Sequence, residues 1–217
     1  MASEAAERSG EDSSGSVPYG DGPEYWDLRY KVDSEPFDWL RDFSELKAHI
    51  EACCPRSGDI LNVGCGNSLL SEEMYDNGYH NIVNIDCSSV VIALMKERNA
   101  SRPSMAWQEM DALEMTFEEN SFDLILDKST MDTFACSEEL AQNIITYLME
   151  VSRVLRTGGT FLVISYGPPE TRLDFLKLSH LKLEVDVITL PAKEGKKEHY
   201  MYRCTKQQHV KKRLPAS

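Results

Sequence analysis

The chain has 217 residues, 41% of them hydrophobic and 9% aromatic, and a net charge of −13. That length suits one domain with a substantial core, and no apolar run approaches the roughly 20 residues needed to cross a bilayer. The six cysteines (Cys53, Cys54, Cys65, Cys87, Cys136 and Cys204) lack Cys-x-x-Cys or paired Cys/His spacing, which argues against a structural metal and against a disulfide scaffold.

Charge is unevenly spread. The first 24 residues carry six acids against one Arg, and residues 206–217 carry Lys206, Lys211, Lys212 and Arg213. The body between them is therefore itself acidic. Such a surface repels nucleic-acid backbones and favours a basic partner, although acids also serve solubility alone. The start, Met1-Ala-Ser-Glu-Ala-Ala-Glu, has neither the basic stretch nor the apolar stretch of a signal peptide, and its acids argue against a mitochondrial presequence. A cytoplasmic location and a reducing environment are expected.

Residues 1–23, rich in Ser, Gly, Glu and Pro, read as a disordered acidic tail. Residues 24–205 read as the domain and 206–217 as a basic disordered tail. Tyr25–Tyr30 and Phe37–Phe43 are dense in large apolar residues, and Ser44–Glu51 has helical spacing. Asp59–Val63 reads as a buried strand running into a turn with Gly64 and Gly66. Two glycines at a strand-to-helix turn let backbone approach a ligand that a Cβ would push away. The third glycine of Gly-x-Gly-x-x-Gly is replaced by Leu69.

Ser68–Asn77 follows as a helix ended by Gly78, then a strand, Asn81–Asp86, whose acid lies 22 residues after Gly64. An acid at that distance suits both hydroxyls of a ribose. Ser88–Asn99 is a second such helix, capped by Ser88 or Ser89. Met105–Asp111 and Ser121–Asp127 are further strands closing on Asp. Any one of these acids is equally well explained as a helix cap, but four successive strand–turn pairs closing on Gly or Asp point to a shared ligand edge. Glu138–Leu155 is the longest helical pattern, stopped by Gly158-Gly159. Thr160–Tyr166 is a fifth strand, and Leu181–Leu190 and His199–Thr205 form a terminal strand pair.

Strands alternating with helices imply right-handed crossovers. The expectation is a single α/β domain: a Rossmann-like doubly wound sheet of about seven strands, mostly parallel, with an antiparallel C-terminal edge strand. Its ligand would lie beyond the carboxyl ends of the strands, where Gly64, Asp86, Asp111 and Asp127 converge.

These residues resemble the seven-strand S-adenosylmethionine-dependent methyltransferases over about residues 25–205. Asn62–Asn67 resembles that family's first motif, Asp86 its ribose acid, Asp111-Ala112 its adenine-reading pair and Asp127 its fourth motif. More narrowly, the chain is similar to the lysine methyltransferases of eukaryotic translation elongation factor 1-alpha. The likeness rests on Tyr25–Tyr30, Phe37–Trp39, Gly64–Ser68, Asp86–Val91 and Asp127–Asp132. It implies S-adenosylmethionine as cofactor, S-adenosylhomocysteine as product and a protein lysine as acceptor; a monomer is expected, though no residue pattern fixes the oligomeric state. The cofactor contacts it implies are Trp26, Tyr30, Trp39, Gly64, Cys65, Gly66, Asn67, Asp86, Cys87, Ser88, Asp111, Ala112, Asp127 and Lys128. Three positions depart from the family pattern: Asn62 replaces its usual acid, Ser129 replaces the Gly of its Lys-Gly-Thr box, and Thr133 stands where the family often has Ala.

Methyl transfer is an in-line displacement that needs alignment more than a covalent intermediate. Asp127 and Tyr166, at the ends of the fourth and fifth strands, are the candidate catalytic residues, with Asp127 orienting the amine rather than acting as a general base. The alternative is that Asp127 only caps the next helix. Trp26, Tyr30 and Trp39 form an aromatic lid suited to a cation, or plain core. Lys128 alternates with Asp127 and is expected to face the other side in a surface ion pair. Small-molecule methylation remains an alternative. A nicotinamide-dependent oxidoreductase is disfavoured by Leu69, and a nucleic-acid amino-methyltransferase by the absence of Asp/Asn-Pro-Pro-Tyr after the fourth strand.

Overall fold

The computed structural model describes residues 22–136, 140–192 and 198–208. The tail expectations for 1–21 and 209–217 lie outside these residues. In chain order the elements are α1 (Gly22–Val32), α2 (Phe43–Cys53), β1 (Ile60–Val63), α3 (Leu70–Asp76), β2 (Ile82–Asp86), α4 (Ser89–Arg98), β3 (Ala106–Glu109) and β4 (Phe122–Lys128). They continue with α5 (Thr130–Phe134), α6 (Leu140–Val154), β5 (Leu155–Ser165), α7 (Pro169–Leu176), β6 (Leu183–Leu190) and β7 (His199–Lys206). The seven strands form one sheet in the order β3-β2-β1-β4-β5-β7-β6. β1 through β5 pair in parallel, and β7 runs antiparallel to both β5 and β6.

β1 is buried at every position and β4 at nearly every one, as central parallel strands covered on both faces must be. One face packs Leu46, Ile50, Met74 and Met95 against Ile60, Ile82 and Leu124. The other packs Tyr147, Leu148 and Val151 of α6 against Val63, Ile125 and Phe161. Leu148→Ala removes a fully buried side chain from that second layer and is expected to cost about 3 kcal/mol in chemical denaturation.

The antiparallel strand expected at the C-terminus is present one place in from the edge. β7 buries His199, Met201, Tyr202 and Cys204, whereas β6 alternates exposed and half-buried residues and carries Glu184 and Asp186. The more apolar strand takes the inner place, and the charged one forms an edge that resists further pairing.

Other boundaries move for local reasons. Gly158-Gly159 does not stop α6; it lies inside β5, where the pairing with β4 shifts register between Phe122 and Leu124. Gly158 has φ +83°, and a Cβ on Gly159 would meet two carbonyl oxygens at 2.9 Å, so both glycines serve a bulge. α1 begins at Gly22, inside the expected tail. α7 was masked by Pro168-Pro169, where Pro169 opens a helix whose first turn needs no amide donor. Lys206 ends β7, donating to Leu155 O at 2.6 Å, instead of opening the basic tail.

Candidate active site

At the carboxyl end of β1 the chain turns through Gly64 (φ +59°) and Gly66 (φ +52°). A Cβ on Gly64 would fall 2.2 Å from Thr130 Oγ1, and one on Gly66 2.8 Å from the Tyr30 hydroxyl. The turn is thus pressed against α5 on one side and α1 on the other, which a side chain would forbid. Thr130 Oγ1 donates to Val63 O at 2.8 Å and Cys65 N to Ile85 O at 3.0 Å, binding the turn to β1 and β2.

Asp86 closes β2 and is buried. Its Oδ2 accepts from Gly66 N at 2.9 Å and its Oδ1 from Ser88 N at 3.0 Å. Burial pushes its carboxyl up to about 6 against the pull of these amides. Ser88 caps α4, accepting from Val91 N, and donates to Asp27 Oδ1 at 2.6 Å, so the helix that carries Trp26 and Tyr30 is pinned to α4. Burial, and then the Asp86 charge, raise the Tyr30 phenol well above its ordinary value.

Gly64, Thr130, Asp86, Trp26 and Tyr30 border a cavity of about 270 Å³ at the carboxyl ends of β1, β2 and β4. Trp26 and Tyr30, stacked at 6.0 Å, and Trp39 form an aromatic side. Asp86 and Cys87, followed by Met110–Leu113, form a second side, and Gly64 with Lys128–Thr130, Thr133, Phe134 and Asn143 form a third. Asp111 Oδ1 accepts from Leu113 N at 2.8 Å, which fixes the turn after β3.

Of the residues singled out from sequence, Trp26, Tyr30, Trp39, Gly64, Asp86, Cys87, Asp111, Ala112 and Lys128 border the cavity. Cys65, Gly66, Asn67 and Ser88 stand behind it. Cys65 is buried, and Asn67 donates to Glu35 O while its own carbonyl accepts from Arg98 at 3.1 Å.

Three expectations are corrected. Asp127 is fully buried and its carboxylate is occupied: Oδ1 accepts from Thr130 N at 2.8 Å, and Oδ2 from Met131 N at 3.0 Å and Tyr147 OH at 2.7 Å. It caps α5, and burial raises it to about 7. Tyr166 is half-exposed beside the cavity and not on its wall, its hydroxyl 3.5 Å from Cys136 Sγ. Lys128 does face opposite to Asp127, but that face is covered. Its Nζ donates to Asp38 Oδ1 at 2.5 Å and to Ser68 Oγ at 3.1 Å, with the side chain 5% exposed. The cover is the strap between α1 and α2, whose far end is held where Arg41 donates to Leu190 O and Pro191 O.

Sequence reasoning missed Thr130, Phe134 and Asn143, which border the cavity from α5 and α6 beside Ser129 and Thr133, the two departures from the family pattern in that stretch. The signal for α5 was present as a Thr-rich stretch directly after an Asp able to cap it. Asn62 donates to Ser71 Oγ at 3.0 Å and Asn84 Oδ1 at 3.2 Å. It ties β1 to α3 and β2, so its difference from an acid is absorbed by that polar cluster.

The donor set fits an adenosyl group. Asp86 accepts one amide bond on each oxygen, and a carboxylate has about four acceptor sites, leaving one per oxygen for a pair of vicinal hydroxyls. Met110, Ala112 and Leu113 beside Asp111 offer an apolar slot with a polar edge for a base, and the aromatic rings suit a sulfonium.

A Methyltransferase domain model matches residues 61–163. EEF1A lysine methyltransferase 4 of Mus musculus is 38% identical over 161 residues, covering 69% of this chain and 63% of that protein. The eEF1A lysine and N-terminal methyltransferase of Bos taurus is 44% identical over 146 residues, covering 65% of this chain and 21% of that protein. The chain thus spans less than two thirds of these relatives. A TehB-like SAM-dependent methyltransferase from Corynebacterium glutamicum superposes with a TM-score of 0.60 at 21% identity, covering 85% of this chain and 98% of that one. The N-methyltransferase NodS from Bradyrhizobium japonicum does so with 0.60 at 15% identity, covering 76% and 93%. Together with the glycine turn, the buried acid of β2 and the sheet order, these matches mark residues 61–163 as a methyltransferase domain on the fold shared by S-adenosylmethionine-dependent methyltransferases.

Proposed function

We propose that this protein transfers a methyl group from S-adenosylmethionine to a lysine side chain of a protein, and that the protein is translation elongation factor 1-alpha in the cytoplasm. The observation that carries the reading is the cavity joining Asp86 and Asp111 on one side of β1 to the neutral polar groups of α5 on the other. The names borne by the relatives supply the acceptor.

When bound, the cofactor supplies an electrophilic methyl on sulfur. Asp86 and Asp111 hold the nucleoside end, while Trp26, Tyr30 and Trp39 shield the site from water. Ser129, Thr130, Thr133 and Asn143 form the acceptor side. A lysine arrives as an ammonium, and neutralising it at pH 7 costs about 4–5 kcal/mol from a pKa near 10.4. Hydroxyl and amide oxygens align an amine without the full charge that would stabilise its ammonium, and desolvation lowers its pKa further. With the Asp127 carboxylate engaged by α5 and Tyr147, these neutral groups take over the orienting role.

The acidic body suits a basic protein surface. Association is therefore expected to weaken with salt: the acceptor KM should rise several-fold between about 0.05 and 0.5 M ionic strength while cofactor affinity stays level. Steady-state methylation across a salt series measures both.

The test is transfer of tritiated methyl from labelled cofactor, with separate counting of purified elongation factor and of the small-molecule fraction of a cell extract. Label in the elongation factor, lost on pre-methylation of its lysines, is the expected result. Label confined to small molecules would replace the reading with small-molecule methylation.

A further inference from the structure

The methyl-transfer reading leaves unused a buried charged cluster beside the acceptor side of the cavity. Asp132, in the first turn of α5, and Arg172, in α7, form an ion pair at 2.8 Å with the two side chains 2% and 6% exposed. Asp132 Oδ1 also accepts from Ser165 Oγ, and its Oδ2 accepts from Tyr166 N at 3.0 Å and from Ser129 Oγ at 3.4 Å. Ser165 Oγ in turn accepts from Gly167 N at 2.9 Å and from Arg172 Nε at 3.3 Å.

One carboxylate therefore holds both the cavity-bordering Ser129 and the backbone of Tyr166. The two segments are also joined directly, with Ser129 N donating to Ile164 O at 2.9 Å. Ser129 sits at φ +75°, a strained placement that persists only where surrounding structure over-determines it. Arg172 lies across residue 167 so closely that a Cβ there would meet its Cζ at 2.3 Å. Its guanidinium stands 5.8 Å from the Tyr166 ring, and the Gly167 carbonyl is fixed by Tyr202 OH at 2.6 Å. A buried ion pair is weak evidence for stability alone, since apolar residues often serve as well. A cluster that ties the backbone of a half-exposed tyrosine to one strained turn has a geometric consequence that apolar packing would not reproduce.

We propose that the Asp132–Ser165–Arg172 cluster is a positioning device that holds Tyr166 and Ser129 together as the gateway through which the acceptor side chain reaches the cavity. Tyr166 is the gateway's substrate-facing residue. Asp132 and Arg172 act through it. This rests on the methyl-transfer reading and adds the residues that govern acceptor approach.

The test compares wild type with Tyr166→Phe, Arg172→Lys and Asp132→Asn. It measures three quantities: S-adenosylhomocysteine affinity by calorimetry, acceptor KM and kcat with elongation factor, and amide hydrogen exchange at 165–167. Tyr166→Phe and Arg172→Lys are expected to raise acceptor KM about tenfold or more with cofactor affinity unchanged. Arg172→Lys should also speed exchange at Tyr166 and Gly167, where a lysine cannot reproduce the forked contact. If Asp132→Asn fails to fold, Arg172→Lys carries the comparison. Unchanged acceptor KM in Tyr166→Phe, or a parallel fall of cofactor affinity in Arg172→Lys, overturns the proposal while leaving methyl transfer intact. A wild-type protein that binds cofactor but methylates no lysine overturns the functional reading, and the gateway with it.

Discussion

Asp86→Ala is expected to weaken S-adenosylhomocysteine binding by about a hundredfold or more, measured by calorimetry. Two bonds to a charged acceptor are lost, each contributing about 1.5–3 kcal/mol, and Gly66 N and Ser88 N lose the partner that shapes the turn. A thermal melt of the same variant separates binding from folding. The wild type should show the same dependence through pH. Burial raises the free Asp86 carboxyl to about 6, whereas hydroxyl donors favour the carboxylate. Binding therefore releases a proton at low pH, and affinity is expected to be level above pH 6 and to fall by up to about tenfold per unit below it. Affinity that rises on acidification would contradict the role given to Asp86.

Asp127→Ala is expected to destabilise the fold by about 3–5 kcal/mol in urea denaturation. It orphans the Thr130 and Met131 amides and the Tyr147 hydroxyl inside the core, at about 1–3 kcal/mol for each. Asp127→Asn should behave differently. Its oxygen can still accept from Thr130 and Met131, whose amides lie 2.8 and 3.3 Å from Oδ1, and its amide can donate to Tyr147. Most stability and most methyl transfer should survive. An Asn variant that folds and binds cofactor but has lost transfer would return Asp127 to the chemistry. The sign of the pH effect also distinguishes the variants. A carboxyl raised to about 7 in the folded state binds protons more tightly there than in the unfolded chain. Its contribution is fully present below about pH 4 and is lost as pH rises towards 7. The Asn variant should flatten that decline.

The parallel half of the sheet was legible because its strands are buried on both faces, so apolar runs and turn residues coincide: Ile60–Val63 into Gly64, Ile82–Asp86 into Ser88. The residues that border the cavity beside β1 and β2 were legible too, since one short turn and one strand end carry them in local sequence. The α5 side of the cavity was not, because it is assembled from distant pieces. Lys128 reads as a surface cation until Asp38, 90 residues earlier, is known to cover it. Asp127 reads alike as cap or catalyst until Tyr147 is seen to share its oxygens. Gly158-Gly159 is a helix stop by local rules and a strand bulge once β4 is beside it. In each case tertiary partners decided between two locally equal readings.

A crystal structure of the complex with S-adenosylhomocysteine tests the central claim most directly. The expected result places the ribose hydroxyls on Asp86, the adenine between Met110 and Leu113, and the sulfur facing Ser129 and Thr130. Product bound elsewhere, or a cavity between Trp26 and Asp86 left empty at saturating product, would contradict it.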